Sequence, residues 1–318
     1  MAASEKQISP GAKEETKSRS LLADLVVRLV REKPLSTAGG VIVLIFIIVA
    51  IFANFIAPFR IDEMSLLDRF MGPSAAHWLG TDNLGRDMLS RIVFGARISV
   101  YVGFGAAILA LIVSTLVGGI SGFLGGKTDT IIQRFVDVFM CFPWLVIALT
   151  IMSVLGQGMV QVILVLGILG GIGGSRMPRS AVIGIKENTY FGAAVAIGAP
   201  KGTIFIRHVL PNIMPVLIIT FTTSIGGMIL SEASLSFLGY GIPPDVPSWG
   251  GMLSGSGREH MLRAPWMALW PGVALALVVY GMNMLGDGVR DILDPRLRGG
   301  LGRYSGVKAK MPKKESKA

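Results

Sequence analysis

Residues 188–211 read NTYFGAAVAIGAPKGTIFIRHVLP, and they complete a polar connection that starts at Arg176. Long uncharged, apolar runs lie on both sides of this connection. It carries five basic residues and a single acid, Glu187. Such a connection is either a plain linker rich in glycine and alanine or an elbow with a structure of its own, and the flanking sequence has to separate these alternatives.

The order of residues within the connection favours the elbow. Residues 191–197 are small or apolar and predict a short helix, which Gly198 can close as a left-handed C-cap. Pro200 suits the first turn of a second helix, and Pro211 can open the next apolar helix because its missing N–H needs no partner there. The first helix has a nearly side-chain-free face that a partner could approach closely, formed by Gly192, Ala193 and Ala194.

The composition indicates a membrane protein. Hydrophobic residues make up 52% of the chain and charged residues only 16%, whereas soluble domains carry roughly 25% charged residues. The 41 glycines suit closely packed membrane helices. The single cysteine, Cys141, cannot form an intramolecular disulfide, and the three histidines lie too far apart in sequence to predict a metal site.

Six apolar runs are long enough to cross a bilayer, which takes about 20 helical residues. We therefore predict an all-α integral membrane protein with six transmembrane helices. The predicted spans are residues 37–56, 98–126, 136–155, 159–174, 211–230 and 267–285.

The distribution of positive charge predicts the orientation of these spans. Of the 30 lysines and arginines, 23 lie in the two termini, in the turn between spans 2 and 3, and in the 176–211 connection. The positive-inside rule then places both termini and this connection in the cytoplasm. Membrane topology therefore explains the net charge of +10, and we expect no nucleic-acid partner.

The segments around the spans complete the predicted organisation. Residues 1–19 are polar and predicted to be disordered. Residues 20–60 combine span 1 with a lead-in that is either an amphipathic surface helix or a helical extension of the span. The other units are an extracytoplasmic loop at 61–97, a core domain at 98–290 with connections at 176–211 and 232–266, and a basic cytoplasmic tail at 291–318.

Charged residues deep inside the predicted spans are missing. Asp137 and Glu232 stand near the ends of spans 3 and 5. A carrier driven by protons or ions usually needs buried ionisable residues near the middle of the membrane, so a self-contained channel or secondary carrier is the less favoured alternative. The sequence also has no Walker-type phosphate loop and no recognisable catalytic motif. We therefore expect no catalytic residues and an energy source in another subunit.

The spacing within the elbow resembles the cytoplasmic "EAA" loop of ABC importer permeases, whose pattern is E-A-A, three residues, G, nine residues, I-x-L-P. Here Ala193 and Ala194 are followed after three residues by Gly198, and nine residues later by HVLP at 208–211. Gly192 stands where the acid is usual, and the histidine stands where isoleucine is usual. That histidine is typical of the peptide/nickel branch of the family.

Several other motifs resemble the C-type permease subunits of the same branch of binding-protein-dependent transport permeases, and the resemblance covers roughly residues 35–299. It implies a non-catalytic, pore-forming subunit of an importer for di- or oligopeptides in a prokaryotic cytoplasmic membrane. The implied partners are a second, B-type permease, two ABC ATPases that bind ATP and Mg, and an extracytoplasmic solute-binding protein. The motifs are HWLGTDNLGRDMLSR at 77–91, GARIS at 95–99, SEASLSFLGYG at 231–241, PSWG at 247–250 and the segment 287–298.

The resemblance also implies that the elbow is a coupling helix that sits in a groove on an ATPase. We expect Ala193, Ala194 and Gly198 to make the close contact. Tyr190 and Phe191 are either aromatic anchors in the groove or residues packed against a neighbouring span. No residue of this chain is assigned to a cofactor, a metal or the substrate. The complete set of predicted ATPase-coupling residues is Tyr190, Phe191, Gly192, Ala193, Ala194, Gly198, Lys201, Leu210 and Pro211.

Charged residues near the elbow and in the loops carry further expectations. Lys186 and its charged neighbours either pair with the ATPase or form a solvated rim. Asp82, Arg86 and Asp87 either form a salt-bridge network within their loop or contact the solute-binding protein, and we favour the network. Asp291 lies just beyond predicted span 6 and is expected to help organise its cytoplasmic end.

Overall fold

The structure is a computed structural model that describes residues 21–293 and is predominantly helical. The predictions for residues 1–19 and for most of the 291–318 tail lie outside the described residues. Within the described part, five helices are long and apolar enough to cross a membrane, and two further helices make a sixth crossing if they count together as one bent span. The predicted all-α membrane fold is therefore confirmed, with five candidate spans, or six if the bent pair counts as one.

The lead-in to the bundle packs against protein at the far end of the chain. The first helices are α1 (Leu21–Glu32), α2 (Pro34–Ile51) and α3 (Ala53–Ile56). Leu29 of α1 is only 8% exposed and lies against Gly288 of α15 (Trp266–Leu293). Next to it, Lys33 Nζ donates to Asp291 Oδ2 at 2.6 Å. Asp291 is therefore inside α15, which continues past the predicted end of span 6, and this pair joins the two ends of the described chain.

The second crossing begins earlier than predicted. It consists of α4 (Met88–Ser114), a π-helical turn (Thr115–Gly119) and α5 (Ile120–Leu124). Asp87 is its N-cap, because Asp87 Oδ2 accepts a hydrogen bond from the Ser90 N–H at 2.8 Å. The predicted start at residue 98 was wrong because Arg91 and Arg97 interrupt the apolar run, although both lie on the helix.

The third crossing is bent by 85° between α6 (Gly126–Met140) and α7 (Trp144–Leu155). Predicted span 3, at 136–155, is therefore not one helix: it contains the end of α6 and all of α7. Pro143 stands directly before α7 as its N-cap, and proline cannot continue α6 because it lacks the N–H and crowds the preceding turn. The turn that the sequence predicted between spans 2 and 3 is part of α6 instead.

The fourth crossing begins at Met159, as predicted, but it extends beyond the predicted end at residue 174. α8 covers Met159–Gly174, and α9 (Arg176–Lys186) follows after Ser175 alone. The two helices together form one apolar candidate span from Met159 to Lys186. The first part of the predicted 176–211 connection, from Arg176 to Lys186, is therefore a helical extension of this span.

The fifth crossing extends beyond its predicted limits at both ends. The helices after Lys186 are α10 (Thr189–Ala196), α11 (Lys201–Ile204), a second π-helical turn (Phe205–Val209) and α12 (Leu210–Phe237). The helix from Lys201 to Phe237 is continuous, so Pro211 lies inside a helix and does not open one as predicted. The π-helical turn ends at Val209, two residues before Pro211, whose missing N–H cannot make an α-helical hydrogen bond.

Glu232 is a buried carboxylate inside α12, whereas the sequence placed it in the loop after span 5. It is 0% exposed, and its Oε1 accepts a hydrogen bond from Ser236 Oγ at 2.7 Å. Ser236 Oγ in turn accepts from the Ile242 N–H at 3.0 Å. These bonds tie Glu232 to the last turn of α12 and to the loop after it. The helix extends past the predicted end of span 5, and Glu232 still lies near its end, as predicted.

The loop after α12 folds back onto the bundle. It contains α13 (Trp249–Leu253) and α14 (Gly255–Glu259) before α15 begins. Trp249 is fully buried and its Nε1 donates to the Ile92 carbonyl at 3.1 Å. A Cβ on Gly250 would lie 2.3 Å from the Ala233 carbonyl oxygen, so α13 lies directly on the backbone of α12.

The two ends of the bundle differ, and they are named here by what they carry. The loop end is covered by residues 57–87 and 238–265, and the elbow end carries α9, α10 and α11. α2, α4, α12 and α15 surround a shared core that includes Val43, Ile225 and Val278. Many large apolar side chains point outward from the helices, as expected where lipid is the solvent.

Candidate functional site

The elbow is closed by caps of its own. Asn188 Nδ2 donates to the carbonyls of Gly184 and Ile185 at 3.3 and 3.2 Å and satisfies the end of α9. After α10, Gly198 adopts a φ of +73° and its N–H donates to the Val195 carbonyl at 3.0 Å. The predicted left-handed C-cap at Gly198 is therefore confirmed.

Part of the predicted small-residue face is turned inward. Gly192 and Ala193 are exposed, and a Cβ on Gly192 would meet no atom within 4 Å. Ala194 is only 5% exposed, so it packs inside the elbow. In this conformation of the protein, a partner cannot reach it. Thr189 and Ala196 are exposed as well. The α10 surface is defined as five exposed residues of this helix and of the residue after it, namely Tyr190, Gly192, Ala193, Val195 and Ile197.

Val195 and Ile197 are the residues of this surface that the sequence did not single out. Val195 is exposed, and Ile197 is 82% exposed. The helix after Tyr190 contains only apolar or small residues, so no polar stripe marks its outer face and the sequence could not say which side faces inward.

The two aromatic residues of α10 have different environments. Phe191 packs edge-to-face on Phe123 of α5, with ring centroids 6.3 Å apart. Phe205 contacts the same ring at a centroid distance of 5.3 Å. Phe191 therefore follows the packing alternative, while Tyr190 stays on the surface.

An apolar core joins this aromatic cluster to the transmembrane helices. Val182 of α9, Val209 of the second π-helical turn and Ile213 of α12 are all fully buried there. Phe205 also lies close to the first π-helical turn, since a Cβ on Gly119 would be 3.4 Å from its Cζ atom. The elbow is thus packed on α5 and α12 together.

Charged side chains add a second set of links. Arg179 of α9 makes a two-pronged contact with Asp129 of α6, from Nε to Oδ1 at 2.7 Å and from Nη2 to Oδ2 at 2.6 Å. Ser121 Oγ also donates to Asp129. Lys186 Nζ donates to the carbonyls of Gly122 and Phe123 at 3.2 and 3.0 Å. Lys186 therefore caps the end of α5, which neither expectation for it foresaw.

Two glycines allow α9 to cross the first π-helical turn and α5 at backbone distance. A Cβ on Gly118 would lie 1.8 Å from the Ser175 carbonyl oxygen, and one on Gly122 would lie 2.8 Å from the Arg179 carbonyl oxygen. Small residues at such a spacing let helices in membranes approach closely. Because backbone meets backbone here, a side chain at either glycine would clash with the chain at Ser175 or with α9.

The other predicted coupling residues lie along the continuous helix after the elbow turn. Lys201 and Pro211 are exposed, and Leu210 is half-buried in the elbow core. Pro200 is the N-cap of α11, and not a residue of its first turn as predicted. Its carbonyl accepts from the Ile204 N–H at 3.0 Å, which starts the helix.

The loop end contains the charged network that the sequence predicted, with one change of partner. Asp82 Oδ2 accepts from Arg86 Nε at 2.7 Å. Asp87 does not join this pair, because its Oδ1 lies 3.0 Å from His77 Nδ1 and its Oδ2 caps α4. The expected network is therefore confirmed for Asp82 and Arg86, while Asp87 has a separate capping role.

Comparisons with known proteins place this architecture among transport proteins. Residues 114–299 match the family model described as "Binding-protein-dependent transport system inner membrane component". Residues 20–73 match the N-terminal TM domain of oligopeptide transport permease C. Both matches agree with the resemblance inferred from the elbow and loop motifs.

Two relatives cover most of the chain. The dipeptide transport system permease protein DppC of Alkalihalophilus pseudofirmus is 40% identical over 268 residues, which is 84% of this chain and 88% of the relative. The glutathione transport system permease protein GsiD of Pectobacterium atrosepticum is 38% identical over 264 residues, which is 83% of this chain and 87% of the relative.

A solved structure of the MetNI methionine ABC transporter, in inward facing conformations, has a similar fold. The TM-score is 0.53 at 17% sequence identity, and the match covers 65% of this chain and 98% of the other chain. This likeness concerns the arrangement of helices alone. Together with the family model and the relatives, it leads to one conclusion: the chain is a multi-pass inner-membrane protein that belongs to the family of inner-membrane components of binding-protein-dependent transport systems.

Proposed function

We propose that this chain forms part of the transmembrane pore of an ABC importer for di- or oligopeptides, and that the α10 surface docks on a separate ATPase subunit. The observation that carries the docking proposal is the exposed apolar patch of Val195 and Ile197 at the elbow end. This patch lies on a short helix with charged Glu187 before it and Lys201 after it. Contiguous exposed apolar residues in such a setting mark a contact surface.

The shape of the α10 surface also suits a partner. Gly192 and Ala193 leave room for close approach of another backbone, and Tyr190 supplies an aromatic side chain of the kind that often anchors interfaces. Ala194 and Phe191, in contrast, support the elbow from inside. Of the predicted coupling residues, those two act by positioning the surface.

Movement of the α10 surface would pass to three crossings of the membrane. Phe191 connects it to α5 through Phe123, and the glycine contacts hold α9 against the same helix. The elbow core continues into α12 through Ile213. These contacts support a rigid link between an ATPase and the transmembrane helices, in which ATP-dependent motion shifts the equilibrium between pore conformations.

The proposed orientation places the elbow end in the cytoplasm. The basic residues concentrate in the segments at this end, and such residues are retained on the cytoplasmic side. Both ends of the described chain lie at this same end of the bundle, where Lys33 and Asp291 join them. The proposed partners are two ATPases with ATP and Mg at the elbow end, a second permease beside the helices, and a solute-binding protein at the loop end.

A small peptide is the proposed substrate class. One relative is named for dipeptide transport and another for glutathione transport. Both names specify small peptides, which supports a shared class without fixing the individual substrate. Much of the selection would be made by the solute-binding protein before the pore is reached.

An Ile197→Asp substitution tests the docking proposal. In proteoliposomes that contain the complete importer, we expect ATP-driven uptake of a labelled dipeptide to fall at least about tenfold, because an unpaired charge buried in an interface costs about 2–5 kcal/mol. The amount of the chain in the membrane should not change, since Ile197 is exposed in the elbow.

Gly184→Asp is the matched control. Gly184 is exposed at the same end, with no atom within 4 Å of an added Cβ, and it lies on α9 outside the α10 surface. Its uptake should stay close to that of the unchanged protein. Normal uptake with Ile197→Asp would contradict the docking proposal, and ATP-independent uptake by the chain alone would favour a self-contained carrier.

A further inference from the structure

A cavity of about 200 Å³ lies at the loop end, between the outer ends of α4 and α12 and the α13 segment. Three charged residues line it, namely Asp82, Arg86 and Arg91. Neither the elbow nor its links to the membrane helices involve this cavity. The coupling proposal therefore does not explain why charged residues line this cavity.

The charges in this cavity do not balance among the residues that line it. Asp82 Oδ1 already accepts the backbone N–H groups of Leu84 and Arg86, at 2.8 and 2.9 Å. Asp82 Oδ2 accepts from Arg86 Nε at 2.7 Å, while Arg91 Nε is 3.6 Å away. One carboxylate thus faces two guanidinium groups, and the lining carries an excess of positive charge.

Arg91 has an unused donor. The residue is only 6% exposed, and its buried Nη1 atom has no hydrogen-bond partner within the part of the chain that the structure describes. Leaving a buried charged donor without an acceptor is costly, so native proteins rarely do so without a reason. Arg91 also lines the cavity, so an acceptor that enters the cavity lies next to its guanidinium group.

The remaining walls and the size of the cavity limit what that acceptor can be. Gln157 and Ser254 add neutral polar groups, and Met88 and Val246 add an apolar wall. Sites for whole drug-sized ligands are about 300–1,000 Å³, so this smaller cavity suits one end of a small molecule. Guanidinium groups match the geometry of carboxylates, which they bind by charge-assisted hydrogen bonds.

We propose that the cavity binds the carboxylate group of a small molecule, with Arg91 as the main donor and Arg86 as a second cation. The identification of that group as the C-terminal carboxylate of a peptide rests on the proposed function. The binding chemistry itself rests only on the buried arginine, the charge excess and the cavity.

Propionate and propionamide test the chemistry, because they have nearly the same shape and only one is charged. Ligand-observed NMR with the full chain in lipid nanodiscs should detect binding of propionate and at least about tenfold weaker binding of propionamide, which corresponds to the loss of one charge-assisted hydrogen bond. Equal signals from both, or from neither, would overturn the proposal, and water would then be the occupant of the cavity.

A pair of dipeptides tests the source of the carboxylate. Dialanine should bind with the same preference over its C-terminal amide, since the amide removes the negative charge and keeps the chain length. Equal binding of the two dipeptides would overturn the peptide end as the ligand. Neither ligand pair requires a substitution, so this test does not depend on the stability of a variant.

Variants then locate the site. Arg91→Gln should abolish the preference for propionate, and the exposed Arg60→Gln should retain it. A preference that survives Arg91→Gln in correctly folded protein would overturn the assignment. So would a result in which Arg91→Gln impairs docking of the solute-binding protein while the unchanged chain shows no preference for propionate.

This test is separable from the test of the coupling proposal. Binding is measured without ATP and without other subunits, whereas coupling is measured by ATP-driven uptake. Ile197→Asp should therefore keep the preference for propionate although its uptake fails. If uptake disproves the coupling proposal and the preference remains, the carboxylate site stands on its own.

Discussion

The buried polar network of the loop end and the α10 surface of the elbow end differ in what surrounds their side chains. At the loop end, Asp82 and Asp87 bind nearby backbone N–H groups and charged side chains, and Trp249 is fully buried. At the elbow end, Val195 and Ile197 remain exposed although the helix below them is firmly packed. The loop network is bonded mostly within the chain, with Arg91 Nη1 as an exception, whereas the α10 surface presents apolar area that a partner can cover.

This contrast separates residues that hold the fold from residues that use it. A substitution in the loop network should act on stability first, because its polar groups are buried and bonded to each other. A substitution on the α10 surface should act on transport first, because that surface has few contacts within the chain. The predictions below test this division, beginning with the largest expected loss of stability.

Asp82→Asn should destabilise the protein most. Asparagine keeps one acceptor oxygen but turns an amide donor towards Arg86 and leaves two guanidinium groups without their shared carboxylate. Breaking a buried charge pair in this way costs about 3–5 kcal/mol, which should appear as a lower midpoint of thermal unfolding in detergent. Asp62→Asn is the control, because Asp62 forms an exposed pair whose loss should cost less than about 1 kcal/mol.

Arg179→Gln tests whether the elbow end also contains a structural part. Its two bonds to Asp129 are short and partly shielded from water, so we expect a loss of about 1–2 kcal/mol. The control is Arg134→Gln, since Arg134 is 79% exposed and lies 3.8 Å from Asp137. Equal unfolding midpoints for the two variants would show that Arg179 adds no stability and would weaken the rigid link to α6.

Two glycines of the elbow should give effects of opposite sign, and Gly192→Ala should give the smallest effect of all. Gly198→Ala places a side chain at a φ of +73°, which costs about 1–2 kcal/mol. Gly192→Ala adds a methyl group in open space within a helix and should stabilise it by about 0.5–1 kcal/mol. Thermal unfolding of both variants checks this, and a loss of stability in Gly192→Ala would mean that this position is packed after all.

These glycines also show why charge placed at Gly198 is a poor test of docking. A variant there strains the backbone whether or not a partner is present. Charge at Ala194 has a similar fault, because that residue is buried in the elbow. Ile197 is exposed, so a substitution there can remove a contact with a partner without disturbing the fold.

The sequence could predict what depends on local patterns. Gly198 was identified as a C-cap because a glycine after a short apolar helix has few other roles. The bounds of α8 followed from the glycines at 156 and 158, which interrupt a long uncharged run, and from the end of that run before Arg176. The predicted limits of other spans were wrong where the local charge pattern conflicted with the tertiary structure. Arg91 and Glu232 look like loop residues by charge, yet both lie on helices because other parts of the chain surround them.

The sequence predicted where the elbow lies but not which of its residues are buried and which are exposed. Ala194 and Val195 are both small apolar residues, and only the packing of α9 and α12 decides that the first is buried and the second exposed. The link from Phe191 to Phe123 was equally inaccessible, since the two residues are far apart in the chain. Long-range contacts of this kind leave no periodic signal.

The two π-helical turns, at Thr115–Gly119 and Phe205–Val209, meet where Phe205 approaches Gly119. A π-helical turn accommodates an extra residue within an otherwise α-helical segment, whereas an extra residue in an α-helix rotates everything beyond it by about 100°. Insertions absorbed in these turns leave the packed faces on either side aligned. The length of the connection between bundle and elbow can therefore change over evolution by single residues while the same side chains keep facing the same neighbours.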